Sequence, residues 1–486
     1  MATSKTDDEH ILQTIAQYFK WIMFSHTWEG KEPTFQDVNM VDTVWNLDES
    51  PLNEKLRQFC TTAGADGHRW AWSDTCCIDK NTNAILSQSL ISMYGWYEEA
   101  AETLVYLADV LSSSELGDLT KSRWMTRAWT LQELLASKVI RFYDREWKPY
   151  LNDMHYNHKE SPVIKQELAD AMGVVSETIT SFRRGALGVR EKLRLASTRK
   201  ATVEEDIAYS LIGIFSSDIV PRYGLGKTAL GHLLENIVAR SGDVTVVAWT
   251  GKSLSYNSAL PASLAVYSQT PYSPPPMDVG ELDTRVEQLR TRVSPEDALT
   301  LYYRVIQLPR TTFWNRCLQL PCIVFSVTKI GIQDNQGGRG FLYRAIVSLL
   351  GKVEFRTKDI MPLRTPRKLV FVHPWIHDLR DPHDGLSDDE STDESESESD
   401  AGSTDPDDDS APTSPLAAEP LARVDRDTLA LRLIARLGRP FNALLLEQQS
   451  NGQYKRVAAE HEIIVSGVPY ETNFKKGIRT KVLEII

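Results

Sequence analysis

The chain has 486 residues, 42% of them hydrophobic and 25% charged, which suits a soluble globular protein of roughly two to four domains. Its net charge of −12 is local: fourteen acidic residues and no Lys or Arg lie between Asp381 and Asp409, leaving +2 for the remainder. That balance excludes the basic stripe of a nucleic-acid binder, and five sparse cysteines (Cys60, Cys76, Cys77, Cys317, Cys322) exclude a secreted disulfide scaffold.

No apolar run approaches the ~18 residues of a membrane span, and the opening MATSKTDDEH has no signal-peptide core, so no membrane partner and a cytoplasmic location are expected. The first predicted element is Trp21-Ile22-Met23-Phe24, continuously apolar like a buried parallel strand, running into the polar Ser25-His26-Thr27-Trp28. In open α/β sheets ligands bind at that carboxyl end, which makes Ser25, His26 and Trp28 candidates; a loop whose Trp packs on the core is the competing reading.

A helix follows over 49–65, with Leu52, Leu56, Phe59 and Cys60 on one face, then a second strand, Trp70-Ala71-Trp72, ending in Ser73-Asp74-Thr75-Cys76-Cys77-Ile78-Asp79. Leu86, Leu90, Met93 and Tyr97 recur at helical spacing, and Glu102 to Asp109 reads as a third strand. The stretch Arg123 to Tyr143 then predicts a short helix feeding a fourth strand at 139–143. On that helix Trp129 and Glu133 are four residues apart, so an indole could stack on a flat ligand while a carboxylate meets its hydroxyls, with Arg127 adding a cation. Thr130-Leu131-Gln132-Glu133 equally fits a capping box, in which Glu133 merely satisfies a backbone N–H. Cys76-Cys77 reads as buried small hydrophobes rather than a reactive pair.

Strand alternating with helix is a doubly wound α/β pattern, placing an N-terminal domain at 18–146. A helical region is expected over 147–241. Within it Gly224-Leu225-Gly226-Lys227-Thr228 lacks the leading glycine of a phosphate loop, having Pro221 there, and reads as a turn. Residues 242–486 read as a β-rich, sandwich-like domain with strands at 243–249, 299–308, 321–332, 341–347, 369–374 and 428–437. The acidic tract 381–418 interrupts it as a disordered insertion, since it has almost no apolar surface to offset chain entropy. Ser387, Ser391, Ser395 and Ser397 each stand three residues before an acidic residue, the context of an acidophilic kinase. Cys317 and Cys322 have no second pair or nearby His, so no metal site is expected.

Several blocks resemble the fungal heterokaryon-incompatibility (HET) domain: Ser25-His26-Thr27-Trp28, Asp74-Thr75-Cys76-Cys77-Ile78-Asp79-Lys80, Ser92-Met93-Tyr94 through Val105-Tyr106-Leu107-Ala108-Asp109, and Trp129-Thr130-Leu131-Gln132-Glu133-Leu134-Leu135. Glu205 to Phe215 resembles the helical region that commonly follows, so the likeness covers about 18–250. The sequence departs from the family at Trp28-Glu29-Gly30 (usually Trp-Gly), Arg127-Ala128-Trp129 (usually Arg-Gly-Trp) and Tyr223-Gly224-Leu225-Gly226 (usually Tyr-Gly-Glu-Gly). The resemblance implies a role in fungal non-self recognition, a form of innate immunity that ends in growth arrest or cell death. It also implies a remote likeness to the flavodoxin-like TIR fold, some members of which cleave NAD with a glutamate on a late helix. Carried over by position, that catalytic residue is Glu133, with Ser25, Trp28, Asp74, Arg127 and Trp129 lining the substrate site. NAD would be a substrate and no cofactor is implied. The alternative is a non-enzymatic module acting by self-association or by binding other incompatibility proteins.

Overall fold

The computed structural model describes residues 18–334, 340–361, 368–375, 426–469 and 478–486; the acidic tract and its four serines lie outside them. At the amino-terminal end four strands, β1 (Trp21–His26), β2 (Trp70–Ser73), β3 (Glu102–Tyr106) and β4 (Ile140–Tyr143), form one sheet in the order β2-β1-β3-β4. Every pairing in it is parallel. That is the beginning of the doubly wound order in which a topological switch lies beside the first strand. β1 and β3 are bonded on both sides and covered on both faces, which is why they are apolar without alternation. β2, at an edge, leaves Trp70 exposed.

Helix α1 (Pro51–Ala65) starts where the Ser50 hydroxyl accepts the Asn53 N–H at 3.1 Å and Pro51 sets the first turn. It lays Leu56, Phe59 and Ala63 against Ile22, Phe24 and Leu104 on one face of the sheet. Helices α2 (Asn83–Glu99) and α3 (Ala128–Ala136) cover the other face through Leu90, Met93, Tyr97, Leu131, Leu134 and Leu135.

The middle region is helical, with α4 (Pro162–Met172) and α5 (Thr228–Ser241) its longer members. It is welded to α2 at Gly213, where a Cβ would stand 2.2 Å from the Tyr94 Cβ, so a larger residue there would force the two apart. The turn at Gly224 and Gly226 is held by the Glu205 carboxylate, which accepts their N–H groups at 2.8 and 2.9 Å. A side chain of this protein thus already fills that turn.

Beyond residue 242 three predicted strands are helical instead. Residues 244–247 form a 3-10 turn, while α6 (Val279–Arg290) precedes α7 (Pro295–Ile306), which takes up most of the 299–308 strand, and α8 (Arg426–Leu437) replaces the strand at 428–437. The β-branched and aromatic content of 299–308 pointed to a strand, yet burial falls on Ala298, Leu301 and Val305, at intervals of three and four. Ser294 caps that helix, with Pro295, Glu296 and Asp297 in its first turn.

The remaining strands are β5 (Thr312–Trp314), β6 (Cys317–Asp334), β7 (Phe341–Val347), β8 (Gly351–Thr357), β9 (Leu369–Pro374), β10 (Phe441–Asn442), β11 (Leu444–Gln448), β12 (Tyr454–Val457), β13 (Ile464–Val465) and β14 (Arg479–Ile485). They do not make two facing sheets as a sandwich would. β14 pairs with both β12 and β6, so β6, β9, β11, β12 and β14 close into a ring, and the far half of β6 continues into a β7–β8 meander. Leu318, Leu320, Cys322 and Val324 share a core with the amino-terminal and middle regions. Their alternates Ile323 and Phe325 face the core built on α6, α7 and α8.

Candidate functional site

Ser25 is the fifth residue of β1, and its side chain points to the α3 face of the sheet. There its hydroxyl donates to Oε2 of Glu133 in a short, buried hydrogen bond. The same oxygen accepts the indole N–H of Trp124 at 2.7 Å. An indole nitrogen can only donate, so Trp124 occupies a lone pair of Ser25 and directs the hydroxyl proton at Glu133. Trp124 is itself fully buried on a 3-10 turn, Arg123–Thr126, whose start is fixed from the loop after β3. Asp109 accepts the Ser122 hydroxyl at 2.7 Å and the Arg123 N–H at 2.8 Å, and the Ser122 oxygen accepts the Trp124 N–H at 3.2 Å. A chain of contacts therefore runs Asp109, Ser122, Trp124, Ser25, Glu133.

Glu133 is not a cap. The helix begins after Arg127, which makes no side-chain cap, and Glu133 lies six positions in. Thr130 is turned back, its hydroxyl bonded to the carbonyls of Trp124 at 2.5 Å and Arg127 at 3.0 Å. Burial pushes the Glu133 carboxyl up to about 8; the Ser25 hydrogen bond and the Arg127 and Arg199 cations pull it down, while the Asp74 charge adds to the rise. Tyr97, whose hydroxyl donates to the Phe24 carbonyl at 3.3 Å, is raised well above the ordinary phenol by burial and by Glu133 and Asp74.

Asp74 follows β2 and accepts the Trp28 indole N–H at 3.0 Å. Lys80 stands 3.7 Å from the centroid of the Trp28 ring, a cation–π contact on an indole that is 40% exposed. Burial raises Asp74 and lowers Lys80, each moderated by the other's charge. Arg127, half-buried, acts on Glu133, Asp74 and His26 together. Ser25, Trp28, Asp74, Arg127 and Glu133 therefore lie along one edge, at the carboxyl ends of β1 and β2. Trp129, half-buried on the same helix as Glu133, packs against the core shared with the middle region, where Asp206 accepts the Tyr223 hydroxyl at 2.8 Å.

The same edge carries polar atoms with no partner. His26 stacks on Phe24 at 4.3 Å with neither ring nitrogen bonded, and burial, with the Lys55, Arg127 and Lys80 charges, keeps it neutral. The Thr27 hydroxyl is also unpaired. Buried polar groups are rarely left so, and two adjacent residues at this edge carry them. Two cavities of about 540 and 310 Å³ lie elsewhere, the first lined by Lys227, Lys252, Tyr256 and Lys455, the second by Arg190, Trp249 and His461. Among the described residues no three His, Cys, Asp or Glu side chains are grouped to hold a metal ion, and no helix is long and apolar enough to cross a membrane.

Trp124, Asp109 and Lys80 escaped the sequence reading as site residues. The available signal for Trp124 was its own chemistry, since a buried indole needs an acceptor. The Cys77 side chain is exposed, so the pair is not the buried one expected.

Residues 21–118 match the family model for heterokaryon incompatibility protein (HET). The chain is also 34% identical over 227 residues to vegetative incompatibility protein HET-E-1 of Podospora anserina, an alignment covering 45% of this chain and 16% of that relative. The chain thus spans about one sixth of the length of the relative it matches. No solved structure matches it. The matched residues contain β1 with Ser25, β2 and β3, and the loops carrying Trp28, Asp74 and Asp109, so the chain carries a heterokaryon incompatibility domain at its amino-terminal end.

Proposed function

We propose that the protein is a fungal incompatibility effector whose HET domain hydrolyses NAD at the nicotinamide glycosidic bond. The observation that carries this reading is the buried Glu133 carboxyl held by an oriented Ser25 at the carboxyl edge of a parallel sheet of order 2-1-3-4, where doubly wound folds bind ligands. Cleavage passes through an oxocarbenium-like state, in which the C1′–N bond breaks, nicotinamide leaves as a neutral base and water adds at C1′ with loss of a proton. Glu133 would stabilise the developing positive charge and Ser25 would hold it in place. The Trp28–Lys80–Asp74 cluster would meet the flat ring and the phosphates, and the remote TIR likeness fits the same strand order. Because the nicotinamide ring is cationic, its approach would favour the ionised carboxyl and draw Glu133 down from about 8.

Purified protein incubated with NAD tests this, with nicotinamide measured by chromatography for the wild type and for Glu133→Gln. Release should rise with pH toward 8 and fall by two or more orders of magnitude in the variant. No release in any state of assembly sinks the enzyme reading.

A second reading has its own observation. Trp28 is exposed and pinned between Lys80 and Asp74, the composition of an interface anchor. If the edge serves self-association, Trp28→Ala would shift the mass measured by light scattering while leaving thermal stability unchanged.

A further inference from the structure

The larger cavity, about 540 Å³, plays no part in the proposed chemistry and shares no residue with the Glu133 edge. Three lysines from three separate elements line it: Lys227 from the turn before α5, Lys252 from the loop after the 244–247 turn, and Lys455 from β12. Lys227 belongs to the glycine-bearing turn whose N–H groups Glu205 has taken, so the ammonium group is what that turn still offers an anion. The nearby negative groups are Glu204, 3.7 Å from Lys227, Glu447, opposite Lys455 in the β11–β12 register, and the carboxyl end at Ile486, where an oxygen accepts the Ser258 N–H at 3.1 Å. Lys252 and Lys455 make no ion pair among the described residues, so the cavity keeps cations to offer.

The walls are already in place. The Leu254 N–H donates to the Leu260 carbonyl and the Ala262 N–H to the Lys252 carbonyl, both at 2.8 Å, which folds residues 252–262 into a closed loop. Asn257 clamps that loop to the carbonyls of Arg316 at 2.9 Å and Ile485 at 2.7 Å, and the Ser258 hydroxyl accepts the Arg456 N–H at 2.9 Å. Tyr256 is fixed as well: its hydroxyl meets Glu235 and, at 3.2 Å, His232, and its ring lies so close to Gly231 that a Cβ there would stand 2.4 Å from the Tyr256 Cγ. Between the lysines the lining is apolar at Leu254, Ala262 and the Tyr256 ring. A preformed, largely apolar cavity with a few convergent charges is the usual form of a small-molecule site.

From this geometry we infer that the cavity is a binding site for a small organic phosphate. The phosphate would lie among the three ammonium groups, which meet a dianion from separate sides as point charges, and its apolar body would lie against Leu254, Ala262 and Tyr256. A carboxylate, with a single charge, would leave two of the lysines without a partner. The site stands apart from the NAD reading and does not depend on it.

Isothermal titration calorimetry of the full chain at about 0.15 M salt tests this, with adenosine monophosphate, octyl phosphate and inorganic phosphate as probes. One of the two organic phosphates should bind with unit stoichiometry and about tenfold or more tighter than inorganic phosphate, the tighter of them telling a flat body from an aliphatic one. Lys252→Met combined with Lys455→Met should weaken it by about tenfold or more, and Lys227→Met by less, because Glu204 already shares that charge. The three lysines are exposed, so the fold should persist, as circular dichroism would check. No binding of either organic phosphate, or binding that the double variant leaves unchanged, overturns the site. Inorganic phosphate bound as tightly as the organic probes overturns the role of the apolar wall.

Discussion

The two ends of the amino-terminal sheet are both polar, and they handle polarity in opposite ways. At the amino end Arg141 on β4 bonds Glu102 on β3 at 2.8 Å and also Asp66 beyond α1, while His68 lies 3.1 Å from Glu102. Burial opposes the Arg141 charge, yet Asp66 and Glu102 hold it above its ordinary range. Each charge there has an opposite partner, and the network ties together the starts of β2, β3 and β4. At the carboxyl end Glu133 is bonded to a neutral hydroxyl, Asp74 to an indole, and His26 to nothing. Ion pairing that satisfies its members holds a fold together; carboxyls buried against neutral donors, with cations acting on them only through space, are instead poised to change state when a ligand or proton arrives.

The largest effect that would break this contrast is at the amino end. Glu102→Ala leaves the Arg141 cation half-buried with only Asp66 and should cost about 3–5 kcal/mol in urea denaturation, because removing one partner strands the other. A loss under ~1 kcal/mol would show that this end is no more structural than the other.

Glu133 should show the opposite sign. Its folded pKa of about 8 lies above its unfolded value, so between roughly 4.5 and 8 the native state holds a proton that the unfolded chain has released. The contribution of Glu133 to stability is therefore fully present below the unfolded pKa and is lost as pH rises through about 8. Glu133→Gln keeps the shape without the titration. Its unfolding free energy relative to wild type, measured by urea denaturation, should rise between pH 5 and pH 8 by an amount on the order of 1–4 kcal/mol.

Lys159 provides a smaller test of the same rule. It is buried with one acceptor, the Ser137 carbonyl at 2.5 Å, and burial lowers it to about 7. The unfolded chain binds that proton more tightly, so stability should increase with pH from about 7 toward 10, and Lys159→Met should flatten the profile measured by thermal scans. The smallest expected change is for Trp124→Phe, which removes one hydrogen bond to Ser25 and should cost ~1 kcal/mol. In activity assays it should reduce turnover more than binding if Ser25 needs that orientation.

The sequence by itself determined the parallel sheet, since a strand buried on both faces must be apolar throughout and the helices between such strands must be amphipathic. It also placed Ser25 and Asp74 at strand ends, because an apolar run that stops at polar residues leaves them at the edge. Tertiary structure alone decided what Glu133 does: Thr130 satisfied the capping-box spacing, but the helix starts at Ala128 and the carboxyl is taken by a serine 108 residues away in sequence. Trp129 and Glu133 share a helix spacing, yet the indole packs against the core of the middle region while Ser25 takes the carboxyl. Past residue 242, local composition misled where burial disagreed with it. Residues 299–308 carry strand-forming side chains but pack at helical intervals, and the closing pair of the ring, β14 with β6, joins segments more than 150 residues apart. Spacing along the chain reports which residues can share a face, and only packing across it settles which partner each one meets.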